Sequence, residues 1–182
     1  VKKTALEEYV KTKKKTGIAA TNLREGDSLA SVCLVKDEDM VLLTKNGMGI
    51  RFSSTDVGAT SRATIGIKGM NFKADDEIVV AIPVRHKEDD LAIFSSVGTG
   101  KKFPVSELPT QNRGGKGLIC HKVSAAAGNI AAAALVSDGD SLLLCGDKTG
   151  ICVQATEIPA LGRAAVGNQM LKGNTLLSAS KV

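Results

Sequence analysis

The sequence predicts an all-β protein, built as a propeller-like array of about four blades with roughly fifty residues and four short strands in each. Two sets of glycines recur about every fifty residues along the whole chain. Short β-branched and alternating runs lie between these glycines, which is typical of strands and argues against helical repeats. The two sets are Gly49, Gly100 and Gly150, and Gly17, Gly66, Gly117 and Gly167. Two independent markers that share one period indicate a radial array, either closed or open into a spiral.

The repeat divides the 182 residues into units at about 1–49, 50–100, 101–150 and 151–182, which we interpret as a single domain. The chain starts and stops in the middle of a unit, so the opening strand of each unit is expected to belong to a neighbouring blade. The first residue is Val1 rather than methionine, which suggests a fragment of a longer protein. The last unit lacks a closing hairpin of its own, and terminal units of repeat arrays are often atypical.

Within each unit, a short opening strand precedes a polar–acidic–apolar step, a cationic loop, an acidic turn and two apolar strands. Residues 131–134 are all alanine and look helical by composition, but their place in the repeat predicts a strand. Tight glycine turns are expected to close the hairpins. The predicted pairs of apolar strands are 28–35 with 40–44, 77–84 with 91–95, and 130–136 with 141–145.

Composition restricts the possible functions. The net charge of +5 and the pI near 9.0 are compatible with a polyanionic partner. An aromatic content of 3% argues against a single-strand binder that stacks bases on exposed rings. The chain has no Cys-x-x-Cys motif and only two histidines, so no zinc site is expected. Cys33, Cys120, Cys145 and Cys152 lie in apolar runs, where we expect reduced, buried thiols of a cytoplasmic protein.

The cations recur at the start of the units and in the loop before the repeat glycine. Equal offsets in a radial array lie on equal faces, so we predict one basic outer rim and one acidic rim formed by the hairpin turns. Solvated charged faces are common, but recurrence at one offset favours a binding surface. The predicted rim residues are Lys2, Lys3, Lys13, Lys14, Lys15, Arg51, Arg62, Lys101, Lys102, Arg113, Lys116 and Arg163.

The densest cationic loop is residues 111–117, which carry two fixed cations and three glycines. Such a segment can bring backbone N–H groups and cationic side chains close to one phosphate backbone. A loop of this composition is often only a solvated turn, but this one lies at the repeat's loop position. Its residues are Gln111, Asn112, Arg113, Gly114, Gly115, Lys116 and Gly117.

Four segments resemble the C-terminal domain of the A subunit of bacterial type IIA DNA topoisomerases, gyrase and topoisomerase IV. Residues 17–27 are similar to the family's Gly-x-x-Ala-x-x-Leu-x-Glu-Gly-Asp segment. Residues 43–52 resemble its hairpin and next strand, residues 105–117 its blade opening, and residues 158–167 its late blades. The resemblance spans nearly the whole chain and repeats in each unit.

This resemblance implies a β-pinwheel, in which blades exchange strands, and a domain that binds duplex DNA and bends or wraps it around the basic rim. The rim cations become candidate DNA contacts. Residues 111–117 resemble the gyrase A box, with Asn112 in place of one arginine and a position in the third unit rather than the expected first blade. Gyrase and topoisomerase IV therefore both remain open, as does the chirality of wrapping.

The resemblance also implies that the chain itself is non-catalytic and carries no metal. The parent would be an ATP-dependent type II topoisomerase whose other domains use ATP and Mg²⁺. Its partners would be the breakage–reunion domain and the ATPase subunit, in an A2B2 heterotetramer. Tyr9, the only tyrosine, occupies a repeated apolar position and is interpreted as a packing residue. Two alternatives are a propeller that binds an acidic protein and an RNA-binding Arg-Gly-Gly segment.

Overall fold

A computed structural model describes residues 1–10 and 16–182, in which most regular structure is β-strand. Helix is confined there to Glu7–Val10 and to three 3-10 turns that each follow a strand directly, Ser54–Asp56, Val105–Glu107 and Ala155–Glu157. None of the described helices is long and apolar enough to cross a membrane. The strands are β1 (Asp39–Thr44), β2 (Met48–Ser53), β3 (Ile78–Val84), β4 (Asp90–Ser95), β5 (Thr99–Pro104), β6 (Leu118–Ile119), β7 (Ile130–Val136), β8 (Ser141–Gly146), β9 (Gly150–Gln154), β10 (Asn168–Gln169) and β11 (Leu176–Lys181).

Within the described ranges these strands form three antiparallel sheets, ordered β3-β1-β2-β6, β7-β4-β5-β10 and β11-β8-β9. In the first two sheets a hairpin, β1–β2 or β4–β5, forms the centre and has a further strand on each side. In the third sheet the hairpin β8–β9 has a further strand on one side only. Each hairpin pairs with a strand of the following unit, and the first two also pair with a two-residue strand from the unit after that. The predicted all-β fold with exchanged strands is therefore confirmed, including the alanine-rich strand β7.

Three sheets are seen among the described residues where about four blades were predicted, and the predicted strand at 28–35 is wrong. The strands of this type that do form, β3, β7 and β11, each pair with a hairpin one unit earlier. No such hairpin precedes 28–35 in the described chain, so its backbone enters no ladder. Its apolar side chains are left exposed, including Val32 with 80% of its surface accessible.

The core lies between the sheets. One cluster joins Val41 and Leu43 of the first sheet to Leu91 and Ile93 of the second. A second cluster joins Phe94 to strands β8 and β9 of the third sheet. Alternate residues of β1 and β4 thus point to opposite faces of their sheets, and both faces are packed against core residues. This explains why these strands are apolar on both sides rather than on one side only.

The inner and outer edges of the array follow from the strand contacts. Strand β7 contacts both β3 and β11 across the sheets, so these three strands lie on the inner side. Strands β6 and β10 pair at the opposite edge of their sheets and lie outside. The glycine turns at 45–47, 96–98 and 147–150 share one end of the hairpins. The acidic turns at 36–39, 86–90 and 137–140 lie at the other end because β1, β4 and β8 begin there, whereas the acidic turn at 74–77 lies beside the first glycine turn, where Asp76 accepts a hydrogen bond from the Asn46 amide at 2.9 Å.

Two expectations about single residues need correction. Cys33 and Cys152 are exposed, whereas Cys120 is buried and its pKa is raised by that burial to about 11. Tyr9 is only half-buried, and its hydroxyl donates to the carbonyl of Ala20 at 3.2 Å. The residues at its repeat position, Val57, Leu108 and Ile158, are buried as predicted.

Candidate nucleic-acid interface

Within residues 1–10 and 16–182, three outer loops follow the 3-10 turns and stand at the outer edges of the sheets. They comprise residues 58–66, 109–117 and 159–167, which we call the outer loops. Each is tied to an opening strand by an isolated parallel bridge, between Lys3 and Ala59, Arg51 and Thr110, and Lys102 and Ala160. The repeat glycine then ends each loop where it crosses that strand. The loop predicted to repeat therefore recurs at equivalent positions in the last three units, and its first copy includes residues outside the described ranges.

The repeat glycine is required by close backbone contact. A Cβ atom on Gly117 would lie 2.2 Å from the carbonyl oxygen of Gly49, and one on Gly167 would lie 2.4 Å from that of Gly100. No side chain can occupy such space without moving the backbone. The repeat glycine, which reveals the repeat in the sequence, is thus the point where the outer loop packs onto its sheet.

The loop at 111–117 is held against the unit before it. The Gly114 amide donates to the carbonyl of Gly69 at 2.8 Å, and the Asn71 amide donates to the carbonyl of Gly115 at 2.9 Å. Gly114 has φ of +85° with no atom near its Cβ direction, so glycine is needed for its conformation alone. The backbone of this loop is thereby fixed before any ligand binds.

The loop arginines are half-buried and point into the protein. Arg113 donates through Nη1 to the carbonyl of Lys68 and through Nε to that of Asp56 at 3.3 Å. Arg62 donates through Nη1 to Ala19, and Arg163 donates through Nη1 to Ile119. Each guanidinium already bonds a backbone carbonyl, so it is not a free surface charge.

The cations of the opening strands are more deeply engaged. Arg51 is 6% exposed and forms an ion pair with Asp39 at 2.8 Å. Lys102 is 7% exposed and lies 3.1 Å from Asp90 and 3.3 Å from Asp138. Burial lowers the pKa of Lys102, but hydrogen bonds to the two carboxylates outweigh it, so the net shift is upward. These side chains belong to internal ion pairs.

Lys101 is completely buried beneath the outer loop 159–167. Its Nζ donates to the carbonyl of Gly162 at 3.1 Å and to that of Arg163, and it lies 5.3 Å from the centre of the Phe103 ring. Desolvation lowers its pKa to about 8. Lys2 is its repeat equivalent, and its Nζ donates to the carbonyl of Arg62 at 2.5 Å.

The predicted rim cations that the structure describes therefore separate into buried, half-buried and exposed side chains. The surface position expected for Arg51, Lys101 and Lys102 is wrong, because Arg51 and Lys102 are buried in ion pairs and Lys101 lies beneath the outer loop 159–167. Lys116 is exposed, and its ammonium forms no hydrogen bond or ion pair within residues 1–10 and 16–182. Lys3 is half-buried and donates to Ser54 at 2.9 Å. Lys13, Lys14 and Lys15 lie outside the described residues, and DNA contact by any of the twelve remains a prediction.

Known proteins resemble this arrangement in sequence and in fold. A family model described as the DNA gyrase C-terminal domain, beta-propeller, matches residues 1–36, 38–85 and 89–137. The chain belongs to this family. The DNA gyrase A protein of Deinococcus deserti is 36% identical over 177 residues, which are 94% of this chain and 22% of that protein. The corresponding gyrase A protein of Lawsonia intracellularis is 34% identical over 176 residues.

Solved structures show the same gyrase C-terminal domain fold. A crystal structure of the C-terminal domain of DNA topoisomerase IV superposes with a TM-score of 0.92 at 25% identity, covering 100% of this chain and 58% of that one. A structure of the DNA gyrase A C-terminal domain gives 0.84 at 31% identity, covering 92% and 58%. The chain spans about a fifth of the length of the curated gyrase A proteins and little over half of the solved domains.

Sequence reasoning missed a set of exposed lysines in this member of the gyrase C-terminal domain family. Lys122 and Lys172 both lie five residues after a repeat glycine. Each directly follows a residue whose amide donates to the turn glycine of a hairpin, His121 to Gly47 and Leu171 to Gly98. Both are exposed, as is Lys68 beside the 111–117 loop. Their shared offset from the repeat glycine was the available signal.

Proposed function

We propose that this chain binds duplex DNA along its outer edge and bends it around the array. The observation that supports this is the set of exposed lysines on successive outer segments, namely Lys68, Lys116, Lys122 and Lys172. Their ammonium groups form no ion pair within residues 1–10 and 16–182, so they are available to phosphates. The acidic turns at 36–39, 86–90 and 137–140 lie at the end of the hairpins opposite the glycine turns that His121 and Leu171 contact, so they are remote from Lys122 and Lys172.

This contact set fits DNA bending better than base recognition. Phosphate contacts position a protein on DNA without reading sequence, and each one releases condensed counterions. Smooth bending of 20–30 base pairs costs on the order of 1–10 kcal/mol, which several such contacts offset. The low aromatic content of 3% is compatible with this, since no ring is needed for stacking or wedging.

In the parent enzyme, bending would present a DNA segment for ATP-dependent strand passage by a type II topoisomerase of the gyrase or topoisomerase IV kind. The chemistry, ATP and Mg²⁺ are proposed to lie in the breakage–reunion domain and the ATPase subunit of an A2B2 assembly. In the described part of this chain, no three His, Cys, Asp or Glu side chains are placed to hold a metal ion. The part that we propose for the chain itself is to position DNA.

The proposal is tested by measuring affinity for duplexes of about 20 and about 100 base pairs across a salt series. We expect affinity to fall steeply with salt, to increase with length beyond the increase in site number, and to depend little on sequence. Equal affinity for the two lengths would overturn bending. Binding to an acidic protein that duplex DNA does not compete away would favour the protein-interaction alternative.

A topological assay separates the two parent enzymes. The chain is bound to relaxed circular DNA, a relaxing enzyme is added, and the change in linking number is read from the purified circles. A positive shift indicates chiral wrapping of the gyrase kind. No shift together with a measurable bend indicates the topoisomerase IV kind.

A further inference from the structure

The same arginine contact occurs three times among the described residues, each time from an outer loop to the segment that follows the repeat glycine of the preceding unit. Arg62, Arg113 and Arg163 each lie four residues before a repeat glycine. Each Nη1 donates to the carbonyl two residues after the repeat glycine of the preceding unit. The acceptors are Ala19, Lys68 and Ile119, in that order. The acceptor is a backbone atom in every case, so the contact is retained although the three acceptor side chains differ.

We propose that these arginines are positioning residues that link each outer loop to the preceding unit and so set the path of bound DNA. This inference rests on the proposed function, because a DNA path is defined only if the rim binds DNA. A chain of equal links fixes the offset from loop to loop, and the exposed lysines within the loops or shortly after them follow that offset.

The neighbouring contacts support a linking role for Arg113 in particular. The Gly114 amide donates to Gly69, and the Asn71 amide donates to Gly115, immediately beside the Arg113–Lys68 contact. The three hydrogen bonds join the same two short segments. A guanidinium that left Lys68 for a phosphate would lose a bond in a half-buried site and leave a carbonyl without its donor.

Lys116 provides a matched contrast within the same loop. It carries the same charge as Arg113 but is exposed and bonds no group within the described residues. Removing its charge tests a direct phosphate contact, whereas removing the charge of Arg113 tests the link. We therefore compare Arg113→Gln, Arg113→Lys and Lys116→Gln in the 182-residue chain.

Three measurements distinguish the roles. Lys116→Gln should weaken binding of a duplex of about 20 base pairs and lower the slope of log affinity against log salt by about one. Arg113→Gln should leave that slope and affinity within about two-fold of wild type. It should instead reduce energy transfer between dyes at the ends of a duplex of about 100 base pairs, because the bend is lost. Amide exchange at Asn71 and Gly114 should rise about ten-fold or more.

Arg113→Lys keeps the charge but loses the planar fork, so it should behave as Arg113→Gln does. The inference is overturned if Arg113→Gln lowers the salt slope by about one, Arg113→Lys restores it, and amide exchange is unchanged. Wild-type protein that binds neither duplex would reject the proposed function instead, while amide exchange would still report on the link.

A measurement on the wild-type protein covers the case in which the variants do not fold. The ¹⁵N signal of Arg113 Nε, which donates to Asp56 at 3.3 Å, is followed during titration with the short duplex. We expect the signal to keep its position, because the guanidinium stays on its carbonyls. A shift that tracks saturation would show that Arg113 contacts DNA and would overturn the inference.

Discussion

The outer loops 109–117 and 159–167 occupy the same place on successive sheets but are supported differently. Beneath the second loop, Lys101 donates to two carbonyls of the loop. The equivalent residue beneath the first is Ile50, whose Cδ1 would lie 3.4 Å from a Cβ placed on Gly115. At the tip, Lys116 in the first loop corresponds to Val166 in the second, and both are exposed.

The comparison of the two loops shows which positions keep the same residue from unit to unit and which positions vary. The linking arginine and the repeat glycine are present in both loops because backbone atoms of the neighbouring segments require them. The side chain at the tip is exposed, so it can be lysine in one loop and valine in the next. Recurrence at a fixed offset therefore marks residues that assemble the array, such as Arg113 and Gly117, as well as the exposed Lys122 and Lys172, whereas Lys116 shows that an exposed cation need not recur.

The largest effect is expected from Gly117→Ala. Its Cβ would lie 2.2 Å from the Gly49 carbonyl oxygen, on a backbone with φ of +71°. We expect the free energy of unfolding to fall by about 3 kcal/mol, measured by urea denaturation. Gly162→Ala is the control in the other loop, because no atom lies within 4 Å of its Cβ direction. Equal losses in the two variants would contradict the packing argument.

The next effect concerns the lysine under the second loop. The pKa of Lys101 is lowered from 10.5 to about 8 by burial, so the folded state releases its proton at a lower pH than the unfolded state. Unfolding then takes up a proton between these values, and the free energy of unfolding rises with pH across this window. Lys101→Met removes the titrating group. Urea denaturation at pH 7 and pH 10 should show the wild type gaining stability relative to the variant, and parallel profiles would refute this.

A smaller effect is expected where one loop has glycine and the other has alanine. Gly114 corresponds to Ala164, and only Gly114 has a positive φ, at +85°. Gly114→Ala should cost about 1 kcal/mol of unfolding free energy, because its side chain is strained in the left-handed region. Ala164→Gly should cost about 0.5 kcal/mol through the entropy of the unfolded chain. Thermal and urea unfolding of both variants measure this, and a neutral Gly114→Ala would show that the first loop can change its backbone.

The smallest effect is expected from Val166→Lys, which gives the second loop the cation of the first. One added phosphate contact should raise the salt slope by about one and strengthen duplex binding about three-fold. Val166→Gln controls for polarity without charge. If Val166→Lys binds no better than Val166→Gln, the second loop does not lie on the DNA path.

The fold could largely be predicted from sequence because its signal is repeated. Glycines such as Gly117 mark contacts that occur once per unit, and the repeat correctly placed the strand at 130–136 against its helical composition. The strand at 28–35 was wrong because pairing depends on a partner hairpin, and local sequence does not report whether that partner is present.

The candidate site was harder to predict, because a sequence shows which side chains are charged but not how deeply they are buried. Lys101 and Lys116 look alike as cations at repeat positions, yet one is buried and the other is exposed. Their difference arises from a loop about sixty residues further along that covers Lys101. The exposed Lys122 and Lys172 could have been found from their common offset to the repeat glycine. The meaning of that offset becomes clear only once the positions of the strands are known.

The exchange of strands between units has a consequence for how the array can be cut. The first sheet takes its hairpin from residues 39–53, its inner strand from 78–84 and its outer strand from 118–119. Excising one fifty-residue unit would therefore remove strands from more than one sheet and leave unpaired edges in each. Unlike stacked repeats that melt from their ends, this chain should lose its sheets together, and deletion of a single unit should not yield a shorter working array.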